Sequence, residues 1–112
     1  MKDKDSIDIV DLSMLDLFRI ELENYTKLLE VGLVEVEQNP VPEKIEPLMR
    51  AAHSIKGAAR IVGLDLVVSL AHAIEDVLSA SQHGKMSLSA DDIELLLKGN
   101  DLFVKLAAVE IR

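Results

Sequence analysis

The chain has 112 residues, enough for one domain with one modest core, and its apolar share of 49% argues against disorder. The formal charge of -8 is the wrong sign for a nucleic-acid binder. The chain has no cysteine, which excludes a disulfide scaffold and thiolate metal sites and fits a reducing cytosol.

The elements follow in chain order. "MKDKDSID" is acidic and polar and carries no secretory signal. Residues 1–9 are expected to form a loose leading segment, with residues 10–112 as the folded domain. The first helix follows Leu15, Phe18, Leu22, Tyr25, Leu29, Gly32 and Val36, spaced by alternating steps of three and four. Asn39-Pro40 ends it. The second helix carries Ile45, Leu48, Ala52, Ile55, Ala59 and Val62 at the same spacing. Pro42 suits a first turn, whereas Pro47 would clash deeper in. The regular helix is therefore expected to begin near Glu46 or to bend there. Gly63 suits the position just past its end.

Asp65 is expected to cap a third helix with Leu66, Leu70, Ala73, Val77 and Ala80 inward, stopped by His83-Gly84. Ser89 and Asp92 resemble a capping box for a fourth helix with Ile93, Leu96 and Leu97 inward. Gly99-Asn100 weakens that helix in its middle, although the pattern continues to Val109. The longest apolar stretch, "IVGLDLVVSLAHAI", is too short for a membrane span and contains Asp65 and His72. Four amphipathic helices with short connections bury their stripes best as an all-α, up-down four-helix bundle.

Function has to come from residues that do not fit the core. Met49, His53, Lys56 and Arg60 form a row beside the second stripe, with Arg50 close by. This locally basic row in an acidic protein would favour an anion at His53. On the third helix His72 and Glu75 share a flank, and Glu75 reaches His53 if the two helices pack antiparallel. A carboxylate accepting Nδ1–H would fix the tautomer of the imidazole. It would leave the Nε2 lone pair outward as a nucleophile and steady positive charge developing on the ring. A lysine one turn away would neutralise incoming phosphoryl oxygens. Gly57 removes side-chain bulk where a partner's backbone would approach, at about 1 kcal/mol of helix propensity relative to alanine. Taken singly, each of these residues has an ordinary reading as a solvated or packing side chain, and His83 keeps it, as helix C-terminal dipole chemistry. The pairing of H-x-x-K-G on one helix with H-x-x-E on the next is what departs from chance.

The stretches "AAHSIKGAARIVG", "LAHAIEDVL" and "GKMSLS" resemble the histidine phosphotransfer (HPt) domain of CheA-type chemotaxis histidine kinases, over roughly residues 10–110. The resemblance implies that His53 is the phosphoacceptor, loaded by a kinase ATPase domain and discharged onto an aspartate of a response-regulator receiver. It also implies that Glu75 hydrogen-bonds the imidazole, with His72 and Lys56 completing the network. Gly57, Arg60, Met49 and Arg50 would then line the docking surface. Many CheA relatives carry "KGGAGTFG" where this chain has "KGAARIVG", a variant that resembles the HPt domains of hybrid CheA-like kinases.

No nucleotide-binding motif is present in the sequence, so the chain alone is expected to be a relay rather than an enzyme. ATP and Mg2+ would belong to its kinase and receiver partners, with no cofactor bound by the domain itself. The expected setting is cytoplasmic, with no nucleic-acid partner, no membrane insertion and no metal. One alternative is a helical interaction module without chemistry at His53. The other is a metal-binding bundle, disfavoured because the Glu-x-x-His pairs of di-iron bundles are missing.

Overall fold

The structure, a computed structural model, describes the backbone of residues 2–111 and the side chains of residues 13–111. It consists of four α-helices: α1 (Lys2–Gln38), α2 (Pro42–Ile61), α3 (Asp65–Gln82) and α4 (Ala90–Ile111). Each helix packs closely on two neighbours in the ring α1–α2–α3–α4–α1, and among the described residues the backbones of the diagonal pairs stay more than 8 Å apart, Cα to Cα. This is an up-down four-helix bundle. At about 1.5 Å per residue, the 37 residues of α1 account for the long dimension of the molecule, 56 Å.

The core draws one stripe from each helix. In α1 it runs through Phe18, Leu22, Leu29, Leu33 and Val36; in α2 through Ile45, Leu48, Ala52, Ile55 and Ala59. Gly32 faces Leu48, and a Cβ on it would stand 2.2 Å from Leu48 Cδ2, so the small residue sets how closely α1 and α2 approach. In α4 the stripe is Ile93, Leu96, Asn100, Phe103 and Ala107. The Asn100 amide, 3% exposed, donates from Nδ2 to the Thr26 carbonyl of α1 at 2.8 Å.

Four sequence expectations need correction. Residues 2–9 belong to the backbone of α1 rather than to a loose segment. They contain neither glycine nor proline, so nothing local stops the helix. α2 begins at Pro42 and runs through Pro47. The ring sits in the second turn, where it removes one backbone bond, and Ile45, Leu48 and Ala52 still bury the same face. Asp65 is the first residue of α3 rather than its cap, and no side chain caps the helix from Leu64. Glu110 does so from α4 instead: its Oε1 accepts the Val67 N–H at 2.9 Å.

The fourth correction concerns the buried face of α3, which is Val67, Ala71, Ile74 and Leu78. The expected stripe lies beside it, with Leu66 and Ala73 exposed. α3 is apolar on two adjacent faces, and periodicity alone cannot rank them.

The helix ends follow the local chemistry. Gly63 and Gly84 have φ of 75° and 74°, and each closes a Schellman motif. In the first, Gly63 N–H bonds Arg60 C=O and Leu64 N–H bonds Ala59 C=O; Ser81 and Ala80 play the same parts for Gly84 and Lys85. The start of α4 is a reciprocal box. Asp92 N–H donates to Ser89 Oγ at 3.1 Å, and Ser89 N–H donates to Asp92 Oδ2 at 2.9 Å.

Candidate functional site

α2 and α3 run antiparallel and pack along their whole length. The short Schellman turn at Gly63 sends the chain straight back, which sets Glu75 against the flank of α2 that carries His53 and Lys56. His53 Nδ1 lies 2.5 Å from Glu75 Oε2. Lys56 Nζ donates to Glu75 Oε1 at 2.6 Å. One carboxylate thus binds two partners one helical turn apart, one through each oxygen.

Exposure separates the three side chains. Glu75 is 17% exposed and Lys56 16%, whereas His53 is 66% exposed. Burial pushes the Glu75 carboxyl up. The hydrogen bonds from Lys56 and His53, and the charges on both, outweigh that and hold it below its ordinary value of 4.5. Glu75 is therefore ionised near neutral pH, and an ionised carboxylate only accepts hydrogen bonds. The contact at Nδ1 then requires a proton on Nδ1, and in the neutral ring this leaves Nε2 with a free lone pair. That combination, an exposed ring with a fixed tautomer and a buried counter-charge, suits a nucleophilic imidazole.

The remaining expected site residues fall into two groups. Gly57 sits next to the triad with open space around it: nothing lies within 4 Å of a Cβ built there. Met49 is half-buried against the core, and Arg60 is exposed at the far end of the row. Arg50 pairs with Glu46, Nη2 to Oε1 at 2.5 Å. His72 points outward, 57% exposed, and its Nε2 is 3.3 Å from Asp76 Oδ2. The structure joins His72 to Asp76 rather than to the His53–Glu75–Lys56 network.

The row is also less basic than its composition suggests, since Glu75 holds Lys56 and Glu46 holds Arg50. Lys56, expected to meet an incoming anion, has its ammonium anchored on Glu75 in this structure. His83 keeps its ordinary part: its Nδ1 lies 2.7 Å from the Ser79 carbonyl at the end of α3. Two polar residues with structural roles, Glu110 and Asn100, lie outside every motif read from the sequence; their partners, Val67 and Thr26, are 43 and 74 positions away. Glu46 was legible as an i, i+4 partner of Arg50. Among the described residues no group of three or more His, Cys, Asp or Glu side chains is placed to hold a metal ion. No described helix is long and apolar enough to cross a membrane.

Comparison with known proteins adds the family. The chemotaxis protein CheA of Borreliella burgdorferi is 28% identical over 106 residues, which span 94% of this chain and 12% of that protein. The sensor histidine kinase CheAY of Helicobacter pylori is 32% identical over 100 residues, 88% of this chain and 12% of the other. The chain thus spans about one-eighth of the length of these relatives.

Among solved structures, the CheA phosphotransferase domain from Thermotoga maritima superposes with a TM-score of 0.81 at 26% identity, covering 88% of this chain and 94% of that one. The phosphorylated P1 domain of CheA3 from R. sphaeroides, solved in complex with CheY6, superposes with a TM-score of 0.78 at 25% identity, covering 88% and 79%. The family profile of the Hpt domain matches residues 13–108, and with the bundle and the His53–Glu75–Lys56 arrangement in place, the chain belongs to the Hpt domain family.

Proposed function

We propose that the chain is a phosphorelay domain with His53 as its phosphoacceptor, taking the phosphoryl group from the ATPase domain of a CheA-type histidine kinase and passing it to a receiver aspartate. The observation that carries this reading is the bond between His53 Nδ1 and Glu75 Oε2 on an exposed ring. In the loading step the Nε2 lone pair attacks the γ-phosphorus of ATP. The new P–N bond forms as the bond to the β-phosphate oxygen breaks, and ADP leaves. The imidazole gains positive charge as it attacks, and Glu75, 2.5 Å from Nδ1, stabilises that charge where it develops. In the discharge step a carboxylate oxygen of the receiver attacks the same phosphorus, and the neutral imidazole leaves.

Lys56 acts through Glu75. It holds the second carboxylate oxygen, so that Oε2 stays aimed at the imidazole. Gly57, one turn beyond His53, leaves room for the receiver's backbone, and exposed Arg60 borders that approach. In this reading the domain is substrate and relay: ATP and Mg2+ are handled by the kinase and receiver domains, and the setting is the cytoplasm. The similarity to the P1 domain of CheA3, solved with CheY6, supports a receiver as the second partner. The resemblance to CheA and CheAY supports a chemotaxis-type kinase as the first.

Incubation with a CheA-type kinase core and γ-labelled ATP tests the loading step. The label is expected on His53, labile to acid and stable to base, and absent from His53→Gln. Label that persists in that variant would overturn the assignment.

A further inference from the structure

A phosphoryl group on His53 calls for a cation close by, and the cation expected to supply it is engaged elsewhere. Lys56 is half-buried with its ammonium on Glu75, on the Nδ1 side of the ring. The chain as a whole carries a charge of -8 and repels a dianion unless a positive group stands beside it.

Which cation can serve depends on where Nε2 points. With Nδ1 against Glu75 of α3, Nε2 faces away from α3. At about 100° per residue, Lys56 and Arg60 lie on the α3 side of His53 along α2, and Arg50 lies on the opposite side. Arg50 precedes His53 by three positions, which sets their Cβ atoms about 5–6 Å apart. A helical side chain also leans over the turn before its own Cα, so the His53 ring leans toward the turn that carries Arg50. On α2, Arg50 is the one cation within a turn of His53 on the side where Nε2 opens. His72, on α3, is held by Asp76.

Arg50 already has a partner, Glu46, four positions back. The two side chains are 75% and 41% exposed, and an exposed i, i+4 pair is weak enough to exchange. The hydrogen bond to Glu46 uses Nη2, one corner of a five-donor fork. A phosphoryl group offers three oxygens and up to two negative charges, where a carboxylate offers two oxygens and one charge. A guanidinium binds such oxygens in pairs.

We propose that Arg50 is a phosphoryl-binding residue, which rests on Glu46 while His53 is free and moves to the phosphoryl oxygens when Nε2 is loaded. The proposal rests on His53 as the phosphoacceptor. Contact from the side, through equatorial oxygens, leaves the face opposite Nε2 open to the attacking carboxylate of the receiver.

Phosphorus NMR of the loaded chain, titrated with pH at about 0.1 M salt, tests the contact. Loading uses a kinase core with ATP or, without any kinase, phosphoramidate, whose P–N bond breaks as the bond to Nε2 forms and ammonia leaves. The His53 signal is the one missing from His53→Gln. A cation in contact favours the doubly charged phosphoryl group and lowers its last pKa. The midpoint should therefore rise by about half a pH unit or more in Arg50→Gln. Arg60→Gln removes the same charge two turns from the ring and should shift the midpoint far less. In Glu46→Gln, Arg50 has lost its competing partner and the midpoint should fall. The Arg50 Nε–H resonance should also move when the native chain is loaded, and stay in place in His53→Gln. Equal midpoints in the native chain and Arg50→Gln, or equal shifts in the Arg50 and Arg60 variants, would overturn the contact and leave the relay standing. A chain that takes phosphoramidate at His53 but no label from a kinase core would overturn the relay and leave the contact standing. No phosphoryl group on His53 from either donor would overturn both.

Discussion

Glu75 sits between a half-buried ammonium and an exposed imidazole, and its ionisation links the site to pH. Its carboxyl titrates below 4.5 in the folded chain because Lys56 and His53 bind the charged form, against the opposing effect of burial. A carboxyl with a depressed folded value contributes stability that is fully present above its unfolded value and is lost as pH falls through the folded one. Thermal melts of the native chain and of Glu75→Gln should therefore differ by a constant amount from pH 7 down to about 5. That difference should shrink below 4.5. A gap that stays unchanged at pH 3 would mean that Glu75 gains nothing from its two partners.

The glycines make a matched set at the same scale. Gly57 is helical with open space around it, so Gly57→Ala should stabilise by about 0.4–1 kcal/mol. Gly57→Gln should keep or raise the melting temperature and yet slow transfer to a receiver if, as proposed, the partner's backbone approaches there. Gly32→Ala drives a methyl group into Leu48, which is 2% exposed, and should cost about 1–3 kcal/mol by overpacking. Gly63→Ala meets no neighbour but must hold φ near 75°, and should cost about 1–2 kcal/mol. Melting temperatures of the three alanine variants should rank Gly57 above the native chain and the other two below it.

At the scale of the element, helix boundaries were legible wherever the stop or start is a short-range device. The Ser89–Asp92 box and the glycines at 63 and 84 act within a few residues, so the sequence shows them directly. Ser89→Ala should cost about 1 kcal/mol, measured by denaturant titration. Boundaries set from elsewhere were hidden. The N-terminus of α3 is satisfied by Glu110, 43 residues away, so Asp65 looked like the best cap available. Pro47 was read as a barrier because a proline inside a helix costs a backbone bond. The burial of Ile45 and Leu48 on either side of it outweighs that cost.

The orientation of α3 failed for a different reason. Its two apolar stripes have the same period, and only the neighbours decide which one is buried. The site nevertheless survived this error, because Glu75 flanks the true stripe on the α2 side. His72, three residues earlier, turns to Asp76 instead. An i, i+3 spacing places two side chains on one flank; it does not say which of them faces inward.

At the scale of the whole molecule, the ring of four helices does one thing for the site. It makes α2 and α3 antiparallel neighbours, with a turn so short that residues 22 positions apart meet. The bundle leaves His53 on the surface and puts the group that polarises it underneath. In the proposed function, that division would let a rigid scaffold offer the same nitrogen first to a kinase and then to a receiver. The central claim is that this nitrogen accepts the phosphoryl group. Phosphorus and nitrogen NMR of the chain after loading with a kinase core and ATP tests it most directly. The account predicts one phosphorus signal in the phosphoramidate range, coupled to Nε2 of His53, with Nδ1 still carrying its proton toward Glu75. Phosphorylation at Nδ1, on His72 or on no histidine at all would contradict it.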